Sequence, residues 1–147
     1  MKLSTKGRYG LKAMFELALH YGEGPIPLKT IAENQDISEH YLEQLIAILK
    51  KNGLVNSVRG AQGGYLLANQ PSNIVVGDIV RSLEGDISLV SCVGDSRLCA
   101  NSEKCVTKMV WEKISESINS VIDNITLQDM IDEHVRLNSN GEYMYYI

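Results

Sequence analysis

Apolar residues recur at helical spacing through most of the first 53 residues of the chain. In the segment 3–21 this spacing predicts a first helix, with the apolar positions Leu11, Met14, Phe15, Ala18 and Leu19. The segment 27–35 predicts a short second helix, since Pro27 suits a first helical position. After a tight turn, Ser38 is a suitable N-cap for a third helix that Gly53 ends, and its stripe is Leu42, Leu45, Ile46 and Leu49. Two shorter helices that are joined by a tight turn and follow a longer helix in the sequence predict a helix-turn-helix.

A β-hairpin is predicted directly after these helices. Two short β-prone runs, LVNSV and YLLA, flank the connection RGAQGG, whose three glycines permit the positive φ angles of a tight turn. A hairpin in this position is the wing of a winged helix-turn-helix. Arg59 lies at its tip, where a guanidinium can enter the minor groove of DNA and respond to its width.

The apolar pattern predicts two more helices. Residues 75–85 predict a fourth helix with Ile79, Val80 and Leu83 apolar, ended by Gly85. Residues 106–125 predict a long amphipathic helix whose stripe is Val106, Val110, Ile114, Ile118, Val121 and Ile125. Little chain remains to cover that stripe, so we expect it to pack against a second subunit, which gives a twofold dimer with two reading heads. The alternative is a helix that folds back onto its own domain.

These elements divide the chain into four parts. Residues 1–85 form the DNA-binding domain, residues 86–105 a cysteine-bearing segment, and residues 106–130 the dimerisation helix. The tail, residues 131–147, is polar and turn-rich before a short aromatic end. That composition is typical of a disordered segment, and we assign the tail no role.

Composition restricts the class of protein. No apolar run approaches the roughly 18 residues that a membrane span needs, and the first ten residues lack the continuous apolar region of a signal peptide. A cytoplasmic protein is therefore expected, with no membrane partner. The formal net charge of -4 is unevenly distributed, because residues 1–60 carry a balance of +2 and residues 61–147 a balance of -6. Nucleic-acid binding depends on a local face rather than on the mean charge.

Candidate DNA contacts lie in the first and third helices as well as in the wing. Lys6 and Arg8 belong to a basic group at the start of the first helix, where the helix dipole prefers anions, so an external polyanion is a suitable partner. A basic, solvated helix end is the alternative. The third helix presents Glu39, His40, Glu43 and Gln44 near its beginning, the part of a recognition helix that reaches base edges.

The three cysteines are Cys92, Cys99 and Cys105, with six and five residues between them. An odd number of thiols in a reducing compartment favours metal ligands or redox sensors over a disulfide framework. Structural zinc sites use closer pairs, so zinc is disfavoured. Iron–sulfur clusters use thiolates, although three is one fewer than the usual four. Reduced surface thiols, or a thiol–disulfide switch, are the alternatives.

Four segments carry a specific resemblance to a known family: MKLSTKGRYGLKAM, SEHYLEQL, KKNGLVNSVRGAQGGYLL and EKCVTKMVW. Together they resemble the iron–sulfur cluster regulator (IscR-type) family of bacterial winged-helix repressors, over nearly everything up to about residue 127. The resemblance implies a mainly α fold with a winged helix-turn-helix domain, a cluster-binding loop and a long C-terminal dimerisation helix. It also implies a homodimer on palindromic promoter DNA that controls iron–sulfur assembly genes. A [2Fe–2S] cluster on Cys92, Cys99 and Cys105 is favoured over [4Fe–4S].

The resemblance assigns roles to single residues. Glu43 matches the family glutamate that helps to discriminate between DNA sites, and a carboxylate can accept a hydrogen bond from cytosine N4. Gln44 can pair with adenine, Ser38 can contact the backbone or a base, and Arg59 matches the wing arginine. A solvated helix face is the alternative for Glu43 and Gln44.

Lys108 departs from the family pattern, because the best-known members have a histidine there as fourth cluster ligand. A protonated ammonium cannot bind iron. The fourth ligand is left open among Asp95, Ser96, Glu103, Thr107, a thiol from solution and a partner residue.

Two other functions compete with cluster sensing. One is a cluster-free repressor of cysteine or sulfur metabolism that acts through a partner or a thiol switch. The other is an electron-transfer or cluster-carrier protein whose helix-turn-helix is incidental. We expect neither catalysis nor a small-molecule substrate, because no nucleophile–base pairing or phosphate-binding loop stands out.

Overall fold

The three N-terminal helices form as the sequence predicts. A computed structural model of the chain describes residues 3–89 and 105–145. Its first helices are α1 (Thr5–Leu19), α2 (Leu28–Gln35) and α3 (Glu39–Lys51). Pro27 is the N-cap of α2 rather than its first helical residue, so the helix begins one residue later than predicted. Gly53 follows α3 and has a φ of 76°, the left-handed conformation that often ends a helix.

The core lies between these helices. All four residues of the α3 stripe are at most 1% exposed, and they pack with residues of α1 and α2 that include Ala13, Met14, Leu17 and Ile31. These helices have only 8 to 15 residues and would be marginally stable alone, so the burial of their apolar faces is what mainly stabilises them.

The wing is a two-stranded antiparallel hairpin, as predicted. Strand β1 (Val55–Val58) pairs with β2 (Gly64–Leu67), so that Val55 lies opposite Leu67. The segment before α2 joins the hairpin, because Ile26 and Tyr65 exchange backbone hydrogen bonds of 2.9 and 2.8 Å. Gly64 is required at this approach, since a Cβ atom there would lie 2.2 Å from the Ile26 carbonyl oxygen. The wing is therefore attached to the connection between α1 and α2.

Helix α4 (Val76–Glu84) packs closely against α1. Ile79, Val80 and Leu83 are buried as predicted, and the helix ends at Gly85, which has a φ of 82°. A Cβ atom on Gly10 of α1 would lie 2.0 Å from the Leu83 Cδ1 atom. The absence of a side chain at this point lets the two helices approach each other.

The C-terminal part differs from the expected single helix and disordered tail. Helix α5 (Val106–Asp123) has Asn124 as its C-cap, and a second helix, α6, covers Leu127–Tyr145. Leu127 is fully buried in the core, and the His134 ring packs edge-on against Phe15 of α1 with 5.4 Å between ring centroids. Because α6 packs Leu127 and the partly buried Met130 and Ile131 against the core, residues expected to form the end of a dimerisation helix and a tail form one continuous helix.

The mainly α, winged-helix fold class is confirmed. Most of the predicted cluster-binding loop, including Cys92 and Cys99, lies outside the described residues. Among the helices in residues 3–89 and 105–145, none combines the length and apolar character that crossing a membrane demands.

Candidate nucleic-acid interface and cysteine segment

The start of the recognition helix α3 is fixed by its N-cap. The Ser38 hydroxyl oxygen accepts a hydrogen bond of 3.2 Å from the Tyr41 backbone N–H, as the predicted capping role requires. The hydroxyl proton is not used by this bond and can still donate to a phosphate oxygen. One turn further, Glu43 and Gln44 are exposed, and the Gln44 side-chain nitrogen lies 3.3 Å from His40 Nε2.

Tyr41 connects the first turn of α3 with the beginning of α1. Its hydroxyl lies 2.7 Å from Thr5 Oγ1, and its ring meets the Tyr9 ring at a right angle with 6.0 Å between centroids. Such edge-to-face pairs stabilise a contact beyond the area that they bury. The structure therefore joins two of the predicted DNA-contacting regions directly.

The basic residues of α1 stand at this same end of the helix. Lys6 and Arg8 are exposed. Arg8 Cζ lies 6.0 Å and Lys12 Nζ 5.5 Å from the centre of the Tyr9 ring, within reach of a cation–π attraction. This attraction restrains two flexible cations beside the start of α3.

The wing carries Arg59 at its exposed tip, next to Gly60 with a φ of 114°. Lys50 near the end of α3 donates a 2.7 Å hydrogen bond to Ser57 Oγ of β1. The wing is thus tied to the C-terminal part of the recognition helix, while α1 is tied to its N-terminal part.

Cys105 is the one predicted cluster ligand inside the described part of the chain. It is the N-cap of α5, half-buried, with its sulfur 3.2 Å from Thr107 Oγ1. The Thr107 hydroxyl, followed by the backbone N–H of Lys108, lowers the pKa of the Cys105 thiol below its ordinary value. A thiol that ionises readily at a helix N-terminus is a suitable iron ligand, so this residue fits the donor set of an iron–sulfur cluster.

Lys108 does not fit that donor set. Its ammonium lies 3.5 Å from Glu112 Oε1, one turn further along α5. An ammonium group has no lone pair with which to bind iron. Within residues 3–89 and 105–139, whose side chains are described, no three His, Cys, Asp or Glu side chains come close enough to hold a metal ion.

Sequence reasoning missed two buried or capping carboxylates. Glu16 is 4% exposed, and its oxygens accept 2.7 Å hydrogen bonds from Asn34 and Gln35 of α2. Glu84, at the end of α4, accepts hydrogen bonds from the first residues of α1. The spacing along the chain gives no signal for either contact, because the partners are 18 to 80 residues apart.

A capped recognition helix, a basic helix beside it and a wing define a winged-helix DNA-binding protein. Residues 3–133 match the family described as "Rrf2: Iron-dependent Transcriptional regulator", and the chain belongs to this family. It is a transcriptional regulator and not an enzyme. The resemblance drawn from the sequence is confirmed.

Relatives of two kinds are similar to the chain. The transcriptional regulator CymR of Bacillus subtilis is 46% identical to this chain over 150 aligned residues, and the alignment covers the full length of both proteins. The regulator IscR of Klebsiella pneumoniae is 41% identical, with 96% of this chain and 86% of the relative covered.

The same two kinds recur among solved structures. IscR of T. potens is 55% identical with a TM-score of 0.75, and the match covers 91% of this chain and 88% of that one. CymR of B. subtilis, titled the global cysteine regulator, is 46% identical with a TM-score of 0.76, covering 90% and 98%.

Proposed function

We propose that the chain is an iron–sulfur cluster-sensing regulator that represses iron–sulfur cluster assembly genes. The observation that carries the proposal is a winged-helix module joined to a segment with three cysteines, the last of which stands at the N-cap position of α5 beside the Thr107 hydroxyl. The likeness to IscR of T. potens supports it. When bound, a cluster supplies a centre whose presence depends on iron and sulfide, and [2Fe–2S] is favoured over [4Fe–4S].

The proposed active form is a homodimer on palindromic DNA. Helix α5 leaves much of its apolar stripe in water, with Val106 75% and Val121 59% exposed, and Val110 and Ile114 are exposed as well. Large apolar side chains aligned on one helix favour association with a second copy. Ile114→Glu is expected to yield a monomer in analytical ultracentrifugation, whereas Lys113→Glu on the same helix leaves the dimer intact.

The proposed DNA contacts divide into two kinds. Gln44 and Glu43 reach base edges, so Gln44→Ala is expected to relax the preference for one base pair by about 1–3 kcal/mol. Lys6, Arg8 and the Ser38 hydroxyl contact the backbone, so their removal weakens binding to all sequences alike. Arg59 enters the minor groove, so its removal weakens binding to every duplex and most strongly where that groove is narrow. Anisotropy titrations with the operator and with a scrambled duplex separate the two kinds.

The cluster is tested by reconstitution without oxygen. Visible absorption with iron and sulfide analysis is expected to show a cluster in the unaltered chain and none in Cys92→Ala or Cys105→Ala. Lys113→Glu is the matched control, because it keeps all three thiols and changes an exposed side chain further along α5. A colourless, iron-free wild-type protein would contradict the proposal.

The DNA response is tested on the same samples. Cluster-loaded and cluster-free protein are expected to differ in their preference among promoter fragments, including the region upstream of the protein's own gene. Equal footprints for the two forms would contradict sensing, even where the cluster itself is found.

The fourth ligand is approached through Lys108. Lys108→His places an imidazole in the first turn of α5, and we expect the cluster to persist longer in air. Lys108→Gln is the control, since it also removes the ion pair with Glu112 but adds no comparable iron ligand. Equal lifetimes in the two variants would show that position 108 does not face the cluster.

A second candidate function is repression of cysteine and sulfur metabolism genes. The observation that favours it is the match to CymR over the entire length of both chains. On this alternative the wild-type protein stays iron-free after reconstitution, yet binds promoters of sulfur metabolism genes.

A further inference from the structure

The cysteine segment begins two residues after Glu84, whose carboxylate accepts hydrogen bonds from the N-terminus of α1. Glu84 is the last residue of α4, and Gly85 follows it. Its Oε1 atom accepts hydrogen bonds from the Ser4 backbone N–H at 3.0 Å, from the Ser4 hydroxyl and from the Gly7 backbone N–H at 2.9 Å. One oxygen therefore accepts from three donors at a helix end where the Ser4 hydroxyl oxygen itself accepts, among the described residues, only from the Lys6 backbone N–H. An anion here is also favoured by the helix dipole.

The next residue of α1 is bonded to the recognition helix. Thr5 Oγ1 lies 2.7 Å from the Tyr41 hydroxyl, and the Tyr41 backbone N–H donates to the Ser38 cap. Ser4 and Thr5 are thus two adjacent residues, one held by the end of α4 and the other by the first turn of α3. A displacement of Glu84 cannot leave Ser4 in place without breaking these bonds, and Thr5 is covalently attached to Ser4.

The remainder of α4 is fixed to α5. Arg81, one turn before Glu84, donates a 2.8 Å hydrogen bond to Asn119 and pairs with Asp123 of α5. Cys105 is the N-cap at the other end of α5. Along the chain, the segment 86–104 therefore runs from the anchored end of α4 to the N-cap residue of α5.

We propose that Glu84, Ser4, Thr5 and Tyr41 form a junction that couples the state of the cysteine segment to the position of the recognition helix. Glu84 and Tyr41 are positioning residues, because they act on DNA through the start of α3. This inference rests on the proposed function for the signal that the cysteine segment receives, but not for the mechanical link itself.

The first arm of the test uses cluster-free protein. Coupling between two sites is reciprocal, so operator DNA must change the segment if the segment changes DNA binding. We expect operator DNA to alter the alkylation rates of the cysteine thiols in the wild-type chain by at least about twofold, and scrambled DNA to alter them less. In Glu84→Gln and in Tyr41→Phe this DNA dependence is expected to disappear.

The second arm compares the dissociation constants of cluster-loaded and cluster-free protein for the operator. The ratio of the two constants is expected to fall toward one in each variant, by about 2- to 30-fold. The double variant is expected to lose no more than either single one, because both changes interrupt the same path. Glu133→Gln on α6 and the exposed Tyr21→Phe are matched controls that keep the wild-type ratio.

Gly7→Ala gives an independent perturbation of the same contact. A Cβ atom at Gly7 would lie 2.8 Å from Glu84 Oε1 and 3.2 Å from its Cγ, so the carboxylate must move. Alanine also favours the helix by about 1 kcal/mol relative to glycine. We expect this variant to keep its melting temperature while it loses the coupling ratio, which separates coupling from stability.

The outcomes are distinguishable. If the variants lower DNA affinity equally with and without cluster, Glu84 is an ordinary helix cap and the inference is overturned, while the proposed function stands. If wild-type thiols respond to DNA and the variants lose that response, but the cluster has no effect on affinity, the proposed function fails and the junction stands. Thiols that ignore operator DNA in the wild-type chain would overturn the junction.

Discussion

Ser38 carries two roles that substitutions can separate. It caps α3 through the 3.2 Å bond from the Tyr41 N–H, and its hydroxyl is proposed to contact DNA. Ser38→Ala removes both functions. Ser38→Asn and Ser38→Asp both keep a side-chain oxygen for the cap. The asparagine and aspartate side chains have nearly the same shape as each other, but only aspartate adds a negative charge.

The size of each effect follows from the geometry. Loss of an N-cap costs about 1 kcal/mol, and this hydrogen bond is exposed and at the long end of the usual range, so we expect about 0.5–1 kcal/mol. For a chain of this length that corresponds to a fall in melting temperature of about 1–4 °C. Loss of one phosphate contact of about 1 kcal/mol weakens DNA binding about fivefold.

Thermal unfolding and DNA anisotropy distinguish the two roles. We expect Ser38→Ala to melt early and bind weakly. Ser38→Asn and Ser38→Asp should melt alike, but Asp should bind DNA far more weakly than Asn, with the gap closing as salt rises. Equal DNA affinity for Asn and Asp at low salt would refute the placement of Ser38 against the backbone.

Three further predictions test other parts of the molecule. Arg59→Ala is expected to weaken binding to all duplexes and to reduce the slope of log affinity against log salt by about one, whereas an unchanged slope would remove the wing tip from the interface. A hydrogen bond to Glu23 is the main cause that raises the pKa of His20 above 6.5 in the folded protein. The stability that protonated His20 adds is therefore fully present below about pH 6.5, and it is lost as the pH rises through the pKa of His20 in the folded state. Urea unfolding should therefore show a larger deficit for His20→Gln at pH 5.5 than at pH 9, and an equal deficit would contradict the pairing. Gly10→Ala is expected to destabilise the fold by about 1–2 kcal/mol in denaturant unfolding, because the clash with Leu83 exceeds the helix-propensity gain, and a more stable variant would show that α4 can yield.

The elements that local rules specify could be predicted from the sequence. The stripe that contains Leu42 and Leu49 has one periodicity, a serine cap before it and a glycine after it, and all these signals agree. The hairpin was equally readable, since its glycines lie between two β-prone runs. Here local preference and the global fold favour the same structure.

The C-terminal helices show a signal that was present and missed. Thr126 and Asp129 exchange hydrogen bonds of 2.9 and 3.0 Å between backbone N–H groups and side chains, which is the capping-box pattern at the start of α6. Leu127, Met130 and Ile131 also have helical spacing. The apolar stripe continues through Ile125 and masks the break, because periodicity alone does not register a change of helix axis.

The contacts of the proposed junction could not be predicted in this way. Glu84 and Ser4 are 80 residues apart, and Thr5 and Tyr41 are 36 apart. Neither pair belongs to a repeating pattern, so their proximity depends on how α1 packs against α3 and α4. The same is true of Glu16, whose position beside apolar residues gives no indication of its two amide partners in α2.

The connection between α5 and α6 has a practical meaning for protein engineering. Val76 N–H donates to the Ile125 carbonyl at 2.8 Å, and Leu127 N–H donates to the Ile74 carbonyl at 3.0 Å. A shortened chain that stopped at Asn124 would lose these bonds and leave a hole where Leu127 was, at a cost of about 2–5 kcal/mol for that side chain alone. An isolated DNA-binding domain for use in biosensors should therefore retain α6, even though that helix is distant in sequence from the proposed DNA-contacting residues.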